Sequence, residues 1–542
     1  MNMIKDMAMK LLDYFKERYY LLTPPLMYLS YPTYDIFFLK AFPLVAWFSL
    51  IPVFLYVRKL SLKKVYIVSF IAFFWGNLFT YEWIGNFAGN IEGYIVITGA
   101  LIPVLAVTFA LRIFIAEVLS RRFEKLRFLI YPSVWIAFDA MHTIGYLAFP
   151  WTYWGHSQYT VTPLVQLASI TGISGITFLV VLGNTIIGEY LYKNDRTFPK
   201  IRDLLSTGEG KKLIGLFGAI VVIMLYGSIV LLMNNRPVKK EYTVATVQTC
   251  ISPWDNWRIN KYRNLKELIK YTDESLKHNP DFIIWSESAT LEYISWNYQQ
   301  GYPNEFQNQL VDYIRSIKKP LLTGEVGVIK IWSQTRFRAY PQNNAVLLNK
   351  EGQVVKTYPK INLVPMGEWF PYKKWFPAVQ NLADKYGASS FIPGKGPQIF
   401  MQDGYKFGTL ICYEGIFYRL CREYKKMGAQ YLINITNDGW TDKYRGHMQH
   451  FSASVFRAAE NGLWLVRAGN TGFSGIIDPY GRITSSMAIL KKGYMTGSMD
   501  FSFNHNTFYE KFGDLFLYIT LFFLVLVIKA FVWFSFKDRK NA

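Results

Sequence analysis

The sequence predicts a membrane α-helical bundle plus an α/β domain that lies outside the cytoplasm and is inserted before the last transmembrane helix. Three observations predict it. Apolar runs of roughly 20 residues, enough to cross a bilayer, recur up to residue 233 and once more near the end of the chain. Between about 237 and 505 no such run occurs. Within that stretch, short strand patterns alternate with helical ones, as in a layered domain whose sheets are covered by helices.

The spans read, in order, at about 34–56, 65–83, 95–119, 127–148, 163–191, 212–233 and 513–536. A weaker run at about 17–31 carries the Pro24–Pro25 pair. The chain is thereby divided into an N-terminal bundle of about seven helices over 1–236, a domain over 237–505, and a C-terminal helix with its tail over 506–542. The first residues show no small-residue cleavage site after a compact apolar core, so they read as a retained anchor and not a signal peptide.

Composition narrows the class. Of 542 residues, 51% are apolar and 18% aromatic, which excludes a disordered tail protein. Three cysteines, Cys250, Cys412 and Cys421, are too few and too odd a set for a disulfide scaffold, and they are expected to be free thiols. The 59 Lys and Arg exceed the 38 Asp and Glu by 21 charges. Nucleic acid and lipid headgroups both attract such a surplus, and its placement decides between them.

Arg58, Lys59, Lys63 and Lys64 follow the 34–56 run, and Arg121, Arg122, Lys125 and Arg127 follow the 95–119 run. Lys193, Arg196, Lys200 and Arg202 follow the 163–191 run, and Lys537, Arg539 and Lys540 close the chain. The intervening loops differ: 81–94 offers Glu82 and Glu92 and no base, and 149–162 has no Lys, Arg, Asp or Glu. Bases that punctuate spans set nucleic acid aside, and the positive-inside rule puts these loops and the C-terminus in the cytoplasm. Parity then puts the 237–505 domain outside.

In that domain, strand patterns fall at 242–250, 281–286, 320–329, 343–350, 353–358, 406–412, 430–435, 463–468 and 473–478. Helical patterns fit 257–278, 303–318, 415–427 and 446–461. Glu351-Gly352, Asp403-Gly404 and Pro479-Tyr480-Gly481 are turn signals between them.

Three places look chemical. In DFIIWSES an apolar strand ends in Glu287, a carboxylate at the strand's carboxyl edge. In YPKINLVPMGEW, Lys360 and Glu368 flank an apolar stretch. In FGTLICYEGIF a strand runs into Cys412, followed by Tyr413 and Glu414, with Gly415 permitting a turn into a helix. Each has an ordinary reading as strand end, surface loop or core cysteine. Together they supply one mechanism. A thiol at a strand-to-helix elbow needs a base, which a buried glutamate can be. The oxyanion that forms on acyl transfer needs donors, which an ammonium and a backbone N–H can supply.

These segments, with NITNDGW after them, resemble in order the Glu, Lys and Cys motifs of the nitrilase superfamily, and within it the membrane-embedded branch, the apolipoprotein N-acyltransferases. The likeness extends upstream to SYPTYDIFFLKAFPLVAWFSLIP and FPWTYWGHSQ and downstream to RAAENGLWLVRAGNTGFSGIIDPYGR. It implies a nitrilase-like αββα sandwich with Glu287 as base, Lys360 as oxyanion stabiliser and Cys412 as nucleophile. It further implies Glu368 and Glu414 as supporting carboxylates, and Tyr413, Trp440 and Trp369 at the substrate. The chain departs from the family's commonest form at Met366, and at Thr471-Gly472-Phe473 after Asn470.

The reaction so implied is a ping-pong transfer with no cofactor and no metal. A membrane phospholipid donates a fatty acyl chain to Cys412, and the α-amino group of an N-terminal diacylglyceryl-cysteine on a lipoprotein takes it. The implied setting is the bacterial inner membrane, with the catalytic domain periplasmic and the chain a monomer. The segment 366–391, rich in Trp, Phe and Lys, has the composition of an interfacial lid, and 291–303 that of a second flap. His447 and His450 lie one helical turn apart with no third metal ligand apparent, so they read as residues of a helix face. Two rivals are a membrane-tethered amidase that passes the acyl group to water, and a transporter or scaffold whose outer domain only binds.

Overall fold

The computed structural model describes residues 17–32, 43–145, 148–194, 201–333, 336–365, 367–369, 391–441 and 443–541. Its first part is helical: α1 (Thr23–Ser30), α2 (Ile51–Val57), α3 (Leu62–Tyr81), α4 (Ile91–Arg122), α5 (Arg127–Met141), α6 (Ala168–Lys193) and α7 (Gly208–Met233). Among the described residues, five helical stretches are long and apolar enough to cross a membrane: Leu62–Phe87, Ile91–Arg122, Ala168–Lys193, Gly208–Met233 and Leu515–Lys540.

Two of the expected spans are shorter. In 34–56, the described part consists of a 3₁₀ turn at Pro43–Trp47 and the seven residues of α2. In 127–148, α5 stops at Met141, where the chain reverses and the Phe149 N–H bonds the His142 carbonyl at 2.7 Å. Arg112 and Thr152 both donate to Asp139, at 2.7 and 2.8 Å, so this carboxylate costly to bury in lipid is satisfied inside the bundle. The 163–191 run is also interrupted: Gly172 has φ +64°, and the helix restarts at Ile173, whose N–H is capped by Glu460 of the α/β domain at 2.9 Å.

The α/β domain forms two six-stranded sheets. Its strands are β1 (Tyr242–Gln248), β2 (Phe282–Trp285), β3 (Leu321–Ser333), β4 (Arg336–Leu348), β5 (Val354–Pro359), β6 (Ile399–Gln402), β7 (Tyr405–Ile411), β8 (Tyr431–Thr436), β9 (Trp464–Gly469), β10 (Ser474–Ile477), β11 (Ile483–Met487) and β12 (Gly493–Met499). The strand orders are β12-β1-β2-β3-β4-β5 and β11-β10-β9-β8-β7-β6. Each sheet has three parallel strands at its heart, β1-β2-β3 and β7-β8-β9, flanked by antiparallel ones.

Period-two alternation builds the layers. Phe282 and Ile284 point between the sheets and meet Phe407, Ile411 and Ile433, while Ile283 and Trp285 point outward. Outward they meet Leu265 and Leu268 of α8 (Trp257–Leu276) and Phe306, Leu310 and Ile314 of α10 (Glu305–Ile317), which follows the short α9 (Ile294–Gln300). On the other face, α11 (Tyr418–Lys426) and α12 (Tyr444–Asn461) cover Leu410, Leu432 and Leu465. That cluster runs on into Val165, Ile173 and Ile176 of the bundle. The result is an αββα sandwich whose second helical layer packs on the membrane helices, closed by α13 (Leu515–Asn541).

Candidate active site

The chemistry is delivered at the carboxyl ends of strands. The parallel strands β2 and β7 lead to Glu287 and Cys412, the antiparallel edge strand β5 leads to Lys360, and all three side chains are buried. Lys360 Nζ lies 3.2 Å from Glu287 Oε1 and 2.8 Å from Glu368 Oε1. Asn343, one strand away, donates its amide to both carboxylates at 2.8 Å. The backbone N–H of Asn437 holds the other oxygen of Glu287 at 2.8 Å, and that of Val364 holds Glu368 at 2.8 Å. Burial opposes the charge of Lys360, but Glu287 and Glu368 outweigh it and hold the ammonium above the ordinary lysine range.

Cys412 sits at a sharp elbow. Its φ is +49°, a left-handed backbone that non-glycine residues rarely adopt, and it opens a 3₁₀ turn, Cys412–Ile416, ahead of α11. The turn is held by Glu414, whose carboxylate accepts from the Ile361, Asn362 and Ile411 N–H groups at 2.7, 3.1 and 2.8 Å and from the Tyr358 hydroxyl at 2.9 Å. Burial pushes Glu414 up to about 7 against those donors. Burial and then the Glu287 carboxylate push the Cys412 thiol well above its ordinary range, with Lys360 pulling the other way. Burial and the neighbouring carboxylate thus favour the thiol over the thiolate.

An apolar cavity of about 350 Å³ opens beside Cys412. Its far wall belongs to the bundle: Ile97, Leu101 and Val104 of α4, with Trp83 and Phe87. Val104 is 60% exposed, so this wall continues onto the outer surface of a helix apolar enough to cross a membrane. Trp440 lines the cavity, stacked on Phe87 with centroids 6.2 Å apart and edge-on to Trp254 at 5.4 Å. Tyr413 lines it too, stacked on Trp151 at 5.3 Å with its hydroxyl on the Ala148 carbonyl. Trp369 lies elsewhere, in a neighbouring cavity of about 250 Å³ on which Tyr413 also borders. Met366 and residues 370–390 of the expected lid lie outside the described residues. In the expected second flap, Tyr293, Tyr298 and Tyr302 are exposed.

Sequence reasoning passed over the residues behind the nucleophile. His450 does not project from a free helix face; it is buried in the cavity wall, with Nδ1 2.8 Å from Asp438 Oδ1 and Nε2 3.0 Å from the Cys412 carbonyl. Cys412, Asp438 and His450 offer ligand atoms within 4.8 Å of one another, but both ring nitrogens are already engaged in this way. Arg467 pairs with Asp438 at 2.6 Å, and although burial opposes the Asp438 charge, Arg467 and His450 hold it well below the usual carboxylate range. Asp438 stands inside the NITNDGW motif and Arg467 inside the downstream RAAENGLWLVRAGNTGFSGIIDPYGR segment. Cys250, Cys412 and Cys421 are free thiols.

Comparison with known proteins fits both halves of the chain. Residues 243–503 match the carbon-nitrogen hydrolase family model, and residues 13–186 match that of the apolipoprotein N-acyltransferase N-terminal domain. The α/β domain thus defines the class, a carbon-nitrogen hydrolase domain carried by a multi-pass membrane bundle. Proteins described as apolipoprotein N-acyltransferases align along nearly the whole length. One from Treponema denticola is 28% identical over 92% of this chain and 93% of its own, and one from Borreliella burgdorferi 27% identical over 92% of each. A third, from Geobacter metallireducens, is 29% identical over 87% of this chain and 88% of its own. Among solved structures, an amidase from Nesterenkonia sp. aligns with 49% of this chain and 94% of its own, at 18% identity and a TM-score of 0.36. The chain is thus similar to the apolipoprotein N-acyltransferases along nearly its whole length and carries a match to the N-terminal domain model of that family.

Proposed function

We propose that the protein moves a fatty acyl chain from a membrane phospholipid, through a thioester on Cys412, to the α-amino group of the N-terminal diacylglyceryl-cysteine of a lipoprotein. The observation that carries this reading is the cavity. It joins a buried Cys412, backed by Lys360 and Glu287, to an apolar wall formed by a membrane-crossing helix.

In the first half-reaction, Glu287 accepts the Cys412 thiol proton and the sulfur attacks the donor's ester carbonyl. The oxyanion is met by the Lys360 ammonium and the backbone N–H of Tyr413. Collapse expels the lysophospholipid alkoxide, which takes the proton from Glu287, and leaves the thioester. In the second, the acceptor amine attacks that thioester, Glu287 receives the amine proton, and collapse returns it to the departing Cys412 sulfur as the amide forms. Glu368 balances the lysine charge and Glu414 fixes the turn, so both are supporting groups. Tyr413 and Trp440 shape the acyl site, and Trp369 lines the neighbouring cavity that Tyr413 separates from it.

The same reading has the bundle end near 236 and the catalytic domain near 505, the domain outside the cytoplasm of a bacterial inner membrane, and the working unit a monomer. Two contacts support the topology. Arg122, at the basic end of α4, pairs with Asp538 of the tail at 2.9 Å, whereas Trp83, ahead of α4, bonds Gln449 of the outer domain at 3.1 Å. Hydrolysis is the second reading, and the apolar cavity walls weigh against water reaching the thioester.

A two-stage chase tests the proposal. Enzyme loaded with phospholipid and cleared of excess donor is expected to discharge its acyl chain onto a diacylglyceryl-cysteine peptide far faster than into buffer. Equal discharge in buffer alone would make it a hydrolase that passes the acyl group to water.

A further inference from the structure

Behind Cys412 lies a closed set of hydrogen bonds that the proposed mechanism does not use. The Cys412 carbonyl accepts two side-chain donors, Asn434 Nδ2 at 3.2 Å and His450 Nε2 at 3.0 Å. A carbonyl oxygen can only accept, so Nε2 of His450 must carry a proton. Arg467 organises both donors. Its Nη1 holds Asn434 Oδ1 at 2.5 Å, and its Nη2 lies 2.6 Å from Asp438 Oδ2 and 3.0 Å from His450 Nδ1. Asp438 Oδ1 faces the same ring nitrogen at 2.8 Å and also accepts from Thr436 at 3.0 Å. Arg467, Asn434 and Asp438 are buried along with the ring, so the arrangement is shielded from water. The elbow alone does not call for it, since Glu414 already holds the turn from its other side.

The peptide whose carbonyl is held in this way is the Cys412–Tyr413 peptide, and its other polar end is the Tyr413 N–H. Hydrogen bonds along a peptide reinforce one another: donors on the oxygen draw charge toward it and make the N–H a stronger donor, most of all where the surroundings are of low dielectric.

We propose that Arg467, Asn434 and His450 form a clamp on the Cys412 carbonyl that aims and polarises the Tyr413 N–H toward the oxyanion of the tetrahedral intermediate. The three are positioning residues: they act through the Cys412–Tyr413 peptide and do not touch the substrate carbonyl. This inference rests on the thioester reading of Cys412. It separates two properties of the nucleophile. Attack on an ester builds an oxyanion and needs the clamp, whereas alkylation by iodoacetamide displaces iodide, builds none, and does not.

The test uses the full chain in phospholipid nanodiscs, with single-turnover acylation followed by intact mass and iodoacetamide alkylation of Cys412 measured in parallel. His450→Leu is expected to acylate about 10- to 100-fold more slowly, the range for weakening one oxyanion donor, with alkylation within about twofold of wild type. His450→Gln, whose amide nitrogen reaches the place of Nε2, is expected to recover acylation to within about threefold. Asn434→Asp keeps the shape and the Arg467 partner but presents no donor to the carbonyl. It is expected to slow acylation about tenfold, and it carries the test if His450→Leu does not reach the membrane. Acylation near the wild-type rate in these variants, alkylation falling in step with acylation, or no recovery in His450→Gln would overturn the clamp. A wild-type enzyme that takes up no acyl chain overturns the thioester and the clamp with it. Normal loading of wild type beside unaffected variants overturns the clamp alone.

Discussion

The ammonium of Lys360 lies 3.2 Å from the carboxylate of Glu287, and only 1% of the lysine side chain is exposed. So buried a cation is stable because Glu368 and Glu287 flank it, and breaking such a set by removing one partner is strongly unfavourable. Lys360→Met should therefore do more than remove an oxyanion donor. Glu287 and Glu368, joined by Asn343, would be left as like charges without the cation between them. Single-turnover thioester formation is expected to fall by about 10²- to 10³-fold or more. Formation at the wild-type rate would remove the lysine from the mechanism.

Glu287→Gln keeps the shape of the side chain but cannot accept the thiol proton. With the Cys412 thiol held well above its ordinary range by burial, both acylation and iodoacetamide alkylation should slow, acylation by about 10²- to 10⁴-fold. The parallel loss distinguishes a base from an oxyanion donor. Alkylation rates measured across pH check it, and a variant alkylated as fast as wild type would count against Glu287.

Ala100 is exposed on α4 and lines the cavity, so a larger side chain there occupies acyl space without disturbing a packed core. Ala100→Trp is expected to lower the ratio of long-chain to short-chain loading on Cys412 about tenfold or more, as steric discrimination in apolar pockets allows. Competition between two donors, read as the mass added, measures it. An unchanged ratio would place the acyl chain elsewhere.

What the sequence discloses of this molecule depends on where the determining contact lies. The 281–286 strand is legible because Phe282, Ile283, Ile284 and Trp285 are apolar on both faces, as a strand between two layers must be. Strand β12, GYMTGSM, carries no such signal, and its conformation is set by pairing with β1, Tyr242 against Met499. β6 and β11 were missed for the same reason, being sheet-edge strands at the outer ends of the order. The spans were legible as apolar runs, but the early end of α5 was not, because it depends on Asp139 finding Arg112 and Thr152. Glu287, Lys360 and Cys412 stand in motifs with local character. Asn343 and His450 do not: one is an ordinary strand residue and the other a helix residue, and each acquires its place only when the fold sets it against Glu287 or Cys412.

The thiols offer a control. Burial holds Cys421 up to about 12, and Cys250 is raised by burial too, and neither lines the cavity that Cys412 borders. Cys250→Ala and Cys421→Ala are expected to retain acylation within about twofold. Loss of loading in either, with the protein still folded by thermal melting, would mean the acyl chain passes through another sulfur.

Stability should carry a pH signature from Glu325, a buried carboxyl that accepts from the Ser295 N–H at 2.8 Å and from its hydroxyl. Burial raises it from 4.5 to about 7. A raised carboxyl keeps its proton in the folded state, so its contribution is fully present below about 4.5 and is lost as pH rises through about 7. The loss amounts to about 3 kcal/mol at 1.36 kcal/mol per pH unit. Glu325→Gln, which mimics the protonated form, should flatten that part of the profile relative to wild type. Melting temperatures of both proteins from pH 4 to pH 8 decide it, and parallel profiles would refute it.

The most direct measurement is the intact mass of the purified enzyme after incubation with phospholipid alone. One added fatty acyl group, located on Cys412 by peptide mapping and absent in Cys412→Ala, is the predicted result. No added mass, or an acyl group attached at any other residue, would contradict the account.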